Sequence, residues 1–391
     1  MIAEAPLSFA PGACNGSRPR RAPLARGRRR SEAAVLAELT GPLLADLGRV
    51  FGAGEGRATV LSGGASAGRR AALGLALRPG DRVIVARHGQ LGADWAATAS
   101  ALGLVVETID APWGAPAPIA AIARRLGDDV EGRIRAVVAV HVETSTGAVS
   151  DLAGLRAVID AAYHDALLIA DASGAFGAMP FDAAGWGVDI ALAGGAGGLT
   201  TRPGLALLAL SARGIEAGLR TKPRRGPRLA AMLAASAYAT PERLLWDLRA
   251  GLDRFLDEGP GRVYSRHRRI AEGVRRAAAA WGLDRLAHGA SADTITALRM
   301  PPGVDAQVVL RRARERYGAR FGGVAGPLAG DVVRIGHAGD LDDATMLAGV
   351  ASAEMALLDA GARFEPGVGL AAALRWFRAS APVPAFATAA E

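Results

Sequence analysis

Short apolar runs alternate with amphipathic stretches along residues 57–210. The runs predict buried strands, and the stretches between them repeat apolar residues every three or four positions, which is the spacing of a helix. The predicted strands are 58–61, 82–86, 105–109, 136–142, 166–170, 189–193 and 204–210. The predicted helices are 32–51, one ending near 77, 95–102, 119–126 and 152–164. Strands that alternate with helices form a largely parallel sheet covered on both faces, so the pattern predicts an α/β domain.

The pattern becomes mostly helical after residue 229 and then mixed. Helices are predicted at 243–256, 265–281, 306–317 and 343–360, and strands at 294–300 and 332–335. We therefore expect four parts: an irregular basic arm (1–31), a large α/β domain (32–250), a small C-terminal α+β domain (251–370) and a flexible tail (371–391). Gly41 and Pro42 predict a kink or a break in the first helix.

Composition narrows the class of protein. Half of the residues are hydrophobic and 21% are charged, which excludes a disordered or fibrous chain. No apolar run approaches the roughly 20 residues that a membrane helix needs, and the N-terminus has no apolar signal core. The single cysteine, Cys14, excludes an internal disulfide framework. We expect a cytoplasmic protein without a membrane partner.

The charge of the chain comes almost entirely from arginine. The net charge is +8, and Lys222 is the only lysine among 46 basic residues. Two basic segments, Arg18–Arg30 and Arg220–Arg228, could bind nucleic acid or an acidic protein. The abundance of alanine and glycine favours the alternative that codon usage alone enriches arginine, so nucleic-acid binding is not expected. The scarcity of lysine bears on function, because Schiff-base chemistry requires a lysine amine.

Candidate site residues follow the predicted strands. Asp171 ends one strand, and Thr144 lies in a polar turn after another, where α/β sheets bind ligands. The Gly-rich turn 62–68 lies between a strand and a helix and suits an anion at a helix N-terminus. In contrast, the loop 194–198 follows a strand but contains no reactive side chain.

Three segments together resemble the class V aminotransferases of pyridoxal-phosphate fold type I, specifically the serine–glyoxylate and alanine–glyoxylate aminotransferases. They are HVETSTG (141–147), FDAAGWGVDIALAGG (181–195) and VVRIGHAGDL (332–341). RVFGAGEG (49–56) and LRPGDRV (77–83) also fit, and the resemblance spans about residues 32–370. It implies a mainly parallel seven-stranded sheet in a large domain, a small α+β C-terminal domain, and a homodimer.

The resemblance assigns roles to three residues. Asp171 would pair with the pyridine nitrogen of pyridoxal 5'-phosphate and keep it protonated, so that the ring can act as an electron sink. Thr144 would hydrogen-bond the phenolic oxygen or the phosphate region of the cofactor. Arg334 would clamp the substrate carboxylate in a bidentate fork. The residues alone leave alternatives open: a solvent-facing strand end, an ordinary turn residue and a surface arginine. His141 and His337 are expected to be structural.

Other positions depart from the family pattern. Gly197 stands where the resemblance places the Schiff-base lysine, and Ala196 replaces the glutamine beside it. Leu91 replaces the aromatic residue that stacks on the cofactor ring. The remaining departures are Gly64, Ala65 and Ser66 at the phosphate loop, Gly12–Asn15 at an N-terminal turn, and Ala239 where a second subunit offers a threonine. Lys222 is not expected to replace the missing lysine.

Three functions remain in competition. The first is a class V aminotransferase homologue that no longer transaminates, kept as a homodimer and as a partner or regulator of an active relative. The second is an enzyme on small amino or oxo acids that holds pyridoxal phosphate, or a cofactor–amine adduct, without a covalent bond through Asp171, Thr144 and Arg334. The third is a nucleic-acid or acidic-protein binder that uses the two basic segments.

Overall fold

A computed structural model describes residues 7–10, 32–221 and 240–381, with side chains described from residue 38 in the first helix. The strands are β1 Leu7–Phe9, β2 Arg57–Ser62, β3 Arg82–Arg87, β4 Val105–Asp110, β5 Ile134–Val140, β6 Val142–Glu143, β7 Ala148–Val149, β8 Leu167–Asp171, β9 Ile190–Gly194, β10 Leu205–Leu210, β11 Ile295–Arg299, β12 Ala319–Gly323 and β13 Val332–Gly336. The helices are α1 Glu32–Phe51, α2 Gly64–Ala76, α3 Gln90–Ala101, α4 Ile119–Gly127, α5 Leu152–Ala161, α6 Ala212–Arg220, α7 Glu242–Glu258, α8 Pro260–Ala280, α9 Ala306–Tyr317, α10 Asp343–Asp359 and α11 Val368–Ala379.

The large domain is built on a seven-stranded sheet. Its strand order is β2-β10-β9-β8-β5-β3-β4. Strand β10 runs antiparallel to both of its neighbours, and every other pair from β9 to β4 is parallel. The predicted α/β fold with a mainly parallel seven-stranded sheet is therefore confirmed.

Alternate residues of each central strand pack on opposite faces of this sheet. In β8, Leu168 and Ala170 join the core formed with α1, α4, α5 and α7. Leu167 and Ile169 join the core on the other face, with α2 and α3. This alternation follows from the pleat of a strand, and it directs the next residue, Asp171, to the α2–α3 face.

The small domain carries a four-stranded sheet in the order β1-β12-β13-β11. Strand β1 pairs parallel with β12, and the other pairs are antiparallel. The sequence patterns predicted β11 and β13 and missed the other two strands. Because Leu7–Phe9 forms β1 and buries Phe9 in the core of the small domain, the prediction of an irregular arm is wrong for these residues. The basic segment Arg18–Arg30 lies outside the described residues.

The predicted boundary at residue 250 also needs correction. It falls inside α7, whose Leu248 and Leu252 both lie in the core of the large domain. The change of domain occurs along α8 instead, because Val263 packs in the large-domain core and Ile270 in the small-domain core.

The predictions for the first and last helices were wrong in part. Helix α1 is not broken at Pro42 and continues from Glu32 to Phe51, with buried Leu39 and Leu43 on either side of the proline. The predicted tail begins inside α11, which packs Phe377 in the small-domain core, and residues 382–391 lie outside the described part. In the described ranges, no helix is both long and apolar enough to cross a membrane.

Candidate active site

The carboxyl ends of β5, β8 and β9 meet at one edge of the large sheet, where the predicted site residues lie. The turn 141–147 follows β5, Asp171 ends β8, and the loop 195–200 follows β9. Helix α2 begins at the same edge, since the amide of Gly63 donates to the carbonyl of Gly204 (2.8 Å), just before β10 pairs with the end of β9. This edge is where parallel α/β sheets bind ligands.

Asp171 is fully buried, and each of its carboxylate oxygens has a donor. The indole Nε1 of Trp95 donates to Oδ2 (2.8 Å), and the amide of Ser173 donates to Oδ1 (2.9 Å). The exposed fraction of Asp171 is 0%, so the alternative of a solvent-facing strand end is wrong. A carboxylate with two donors still has lone pairs free for a further donor.

Glu143 is a second buried carboxylate, and the sequence alone does not assign it a role. Its oxygens accept from the amides of Leu91 (3.0 Å) and Gly92 (3.3 Å) in the first turn of α3, and from the Ser145 hydroxyl (2.6 Å). Burial raises the pKa of Glu143, and these hydrogen bonds act in the opposite direction. Its side chain therefore caps α3 and fixes the start of that helix.

Arg334 connects the two domains at this edge. It lies on β13 in the small domain, and its Nη1 donates to the carbonyl of Thr144 (2.8 Å) in the large domain. The side chain is half-buried, which rules out a free surface arginine. Burial lowers the pKa of Arg334, while the charge of Glu143 raises it. Its buried Nε has no hydrogen-bond partner among the described residues, so a donor is left for a ligand.

The first turn of α2, which contains Gly64, Ala65 and Ser66, can receive an anion. No side chain caps this helix, and its first turn has no acidic residue. The first amides of a helix lack intrahelical acceptors, and the helix dipole favours negative charge there. The Ser66 hydroxyl is exposed and accepts from Arg70 (2.9 Å), so the backbone amides are the principal donors.

Residues 195–199 of the loop after β9 carry no side chain that could act as a nucleophile or base. Gly197 is buried with φ +94°, and its carbonyl accepts from the amide of Thr200 (2.9 Å). Thr200 is itself left-handed, with φ +56°. Gly198 packs against the backbone at Phe176 and Gly177 so closely that a Cβ would overlap it. In contrast, a Cβ at Gly197 would meet open space.

The remaining predicted residues divide into two groups. Leu91, half-buried in the first turn of α3, and Ala196, half-buried in the loop after β9, lie at the same edge of the sheet. Gly12–Asn15, Lys222 and Ala239 lie outside the described residues. In the part of the chain that the structure describes, no cluster of three His, Cys, Asp or Glu side chains could hold a metal ion.

A mainly parallel seven-stranded sheet, a small α+β domain and a buried aspartate at a strand end define a pyridoxal-phosphate fold type I transferase. The chain belongs to the class V aminotransferase family, and residues 45–216 match the family model described as aminotransferase class-V. Members of this family are pyridoxal-phosphate-dependent.

Two relatives are similar to this chain over most of their length. The serine–glyoxylate aminotransferase of Methylorubrum extorquens is 37% identical over 354 residues, covering 87% of this chain and 88% of that protein. The L-aspartate–glyoxylate aminotransferase of Paracoccus denitrificans is 37% identical over 352 residues, covering 88% and 89%. The crystal structure of pyridoxamine–pyruvate aminotransferase from Mesorhizobium loti has a TM-score of 0.86 at 24% identity, covering 97% and 99%, and this likeness shows the fold alone.

Proposed function

We propose that this protein is a serine/alanine–glyoxylate-type member of the class V aminotransferase family that no longer carries out transamination. The observation that carries the proposal is the loop after β9. Residues 195–199 are glycine, alanine and leucine only, and the resemblance puts the Schiff-base lysine at Gly197. In an active relative this lysine anchors the cofactor and moves a proton at the substrate carbon. Glycine can do neither, and loss of general acid–base action alone costs about 10²–10⁴-fold in rate.

Lys222 is a poor substitute within one chain. The residue two positions before it, Arg220, accepts a hydrogen bond through its carbonyl from Arg78, which follows the C-terminal end of α2 (2.5 Å). The anion-binding turn lies at the other end of α2, and a helix of 13 residues is about 20 Å long. The last described residues before Lys222 therefore lie toward the edge of the sheet opposite to this turn.

The residues present suit a noncovalently held cofactor better than a covalent one. The amides at the start of α2 would hold the phosphate, Asp171 would face the ring nitrogen, and Arg334 would bind a substrate carboxylate. A bound pyridoxal ring would supply an electron sink. This chain's own residues would bind and orient the ligand. In the described part of the chain, no lysine amine is available to move a proton there.

Two observations favour the second candidate, an enzyme that uses a noncovalent cofactor or a cofactor–amine adduct. The positions that a Cβ would take at Gly194 and Gly197 are open, so the loop after β9 leaves room for a ligand group. The unpartnered Nε of Arg334 adds a donor suited to an α-carboxylate.

Spectroscopy and turnover test the main proposal. Protein incubated with pyridoxal phosphate and then dialysed should retain no bound-pyridoxal absorbance band, and its serine–glyoxylate turnover should equal the enzyme-free background. The relative from Methylorubrum extorquens, assayed in parallel, is the positive control. A retained band together with turnover above background would contradict the proposal.

Calorimetry with the reduced adduct of pyridoxal phosphate and serine separates the two candidates. Heat of binding would support a noncovalent site, and Arg334→Gln should then weaken binding at least about tenfold, since a charged hydrogen bond to the carboxylate is lost. Arg299→Gln, an exposed substitution on neighbouring β11, is the matched control and should leave affinity unchanged. If the wild type gives no heat at high adduct concentration, the noncovalent-cofactor candidate fails. The homologue that no longer transaminates then remains as the proposed function.

The assembly and the partners are also proposals. By resemblance to the family we expect a homodimer, and we propose that it acts in the cytoplasm as a partner or regulator of an active aminotransferase relative. Light scattering on the purified chain tests the dimer, and a monomer at micromolar concentration would contradict it. If the basic segments bound nucleic acid instead, retardation of DNA would be strong at low salt and lost at high salt.

A further inference from the structure

We infer that Trp95 is a positioning residue for Asp171, whose indole N–H fixes the direction of the carboxylate at the end of β8. The inference rests on the proposed function, because it concerns the same site. The contact itself joins two residues of this chain, so it can be tested on the protein without added cofactor.

The geometry of the pair is that of a strong buried hydrogen bond. Trp95 Nε1 lies 2.8 Å from Asp171 Oδ2, and both residues are 0% exposed. Hydrogen bonds to a charged acceptor are stronger than those between neutral groups, and in a buried site a lost donor is not replaced by water. The amide of Ser173 holds the other oxygen at 2.9 Å. With one donor on each oxygen, rotation of the carboxylate is restricted.

The position of Asp171 in the sheet places its side chain next to Trp95. The pleat places Asp171 on the same face of β8 as Leu167 and Ile169, and these two residues share a core cluster with Trp95. The carboxylate therefore emerges from the strand among apolar side chains. Within the described residues, the indole is the one side-chain donor that reaches it. Without the indole, the Asp171 carboxylate would keep only the Ser173 amide as a hydrogen-bond donor.

The helix that carries Trp95 is itself fixed at its first turn. Glu143 accepts from the amides of Leu91 and Gly92, and an added Cβ at Gly89 would overlap the Glu143 side chain. Residues four apart lie on one face of a helix, so Trp95 stands one turn below Leu91, the predicted ring-stacking position. A continuous path of buried contacts thus leads from Glu143 through α3 to Asp171.

This path does not pass through the loop after β9. The placement of Asp171 is set by α3 and β8, so it persists although Gly197 offers no covalent anchor. Trp95 thereby keeps a carboxylate oriented for a ring nitrogen in a chain without the lysine. Each oxygen accepts one donor and retains a lone pair for such a ligand.

The test is a crystal structure of the ligand-free Trp95→Phe variant. We expect the Asp171 carboxylate to rotate away from its wild-type direction or to occupy several rotamers. The matched control is Trp186→Phe, because Trp186 packs on His141 and Phe181 and is only partly buried. In that variant Asp171 should not move. An unchanged carboxylate in Trp95→Phe would overturn the inference.

A second version of the experiment protects against misfolding. Benzothienylalanine has the shape of tryptophan and lacks the N–H, so its site-specific incorporation at position 95 preserves packing and removes only the donor. The direction of Asp171 should change as it does in Trp95→Phe, and an unchanged direction would count against the inference equally.

Binding of pyridoxamine phosphate adds a functional readout. If the wild type binds this probe, Trp95→Phe should weaken binding about tenfold, the loss of roughly one hydrogen bond, while Trp186→Phe stays within about twofold. Equal affinity of Trp95→Phe and wild type would contradict a positioning role. If the wild type does not bind the probe, the noncovalent-cofactor candidate fails, and the crystal structure still decides the role of Trp95.

Discussion

Acidification from pH 7 to pH 4 is expected to remove on the order of 10 kcal/mol from the free energy of unfolding, most of what a typical domain has. The cause is a set of buried histidines whose rings are neutral in the folded protein. Burial lowers the pKa of His88, His141 and His267 to about 4 and that of His337 to about 3. One of them is satisfied only as a neutral ring, because the Nδ1 of His267 lies 2.8 Å from the carbonyl of Val263 and its Nε2 accepts from the amide of Gly339 (3.0 Å).

The sign of the effect follows from where the protons bind. An unfolded histidine takes up a proton below about pH 6.5, whereas each folded one stays neutral until about pH 4 or lower. The contribution of these histidines to the free energy of unfolding is therefore fully present above pH 6.5. It is lost as the pH falls toward 4, by about 3 kcal/mol per histidine. Glu143 acts in the opposite direction, because its raised pKa means that the folded state gains a proton first and offsets part of the loss.

Urea unfolding between pH 4 and pH 8 measures this dependence. His337→Asn should reduce the loss between pH 7 and pH 4 by about a quarter, whatever its stability at pH 7, because one of the titrating groups is gone. His288→Asn changes an exposed histidine and should leave the slope as in the wild type. A free energy of unfolding that stays constant from pH 7 to pH 5 would refute the assignment of these rings as neutral.

The apolar runs predicted the large sheet because strands covered on both faces are hydrophobic at nearly every position. Strand β10, for example, is buried at all six positions. The same criterion failed for β1, which has three residues, and for β12, where exposed Arg320 interrupts the run. The partner of β1 lies more than 300 residues away in the chain, and no local pattern shows such a pairing.

The site residues that lie in family-like sequence motifs could be predicted. Residues whose role depends on contacts with distant parts of the chain could not. Asp171, Thr144 and Arg334 lie in segments that resemble family motifs, and the strand pattern put the first two at carboxyl ends of strands. Trp95 fits the apolar face of α3, so the sequence alone indicates a core residue. Its role depends on Asp171, which is 76 positions away, and becomes visible only in the fold.

Gly197→Lys is expected not to restore transamination, with a rate at least about 10²-fold below that of an active relative. Space is not the obstacle, because a Cβ at Gly197 would meet no atom within 4 Å. The backbone is one obstacle: φ is +94°, where an L-residue costs about 1–2 kcal/mol. The loop cannot easily relax, because Gly198 is packed against the backbone of Phe176 and Gly177.

The rest of the site is the second obstacle. Leu91 offers no aromatic face for the ring, and at the start of α2 a phosphate would be held mainly by backbone amides. Serine–glyoxylate turnover and borohydride-reducible labelling by pyridoxal phosphate measure the result, with Gly197→Gln as the matched control of similar length and equal strain. Both variants should lose similar stability. Only the lysine variant can become labelled at position 197, which peptide mapping distinguishes from labelling of Lys222. Turnover in Gly197→Lys near that of the active relative, with none in Gly197→Gln, would show that the missing amine was the sole defect.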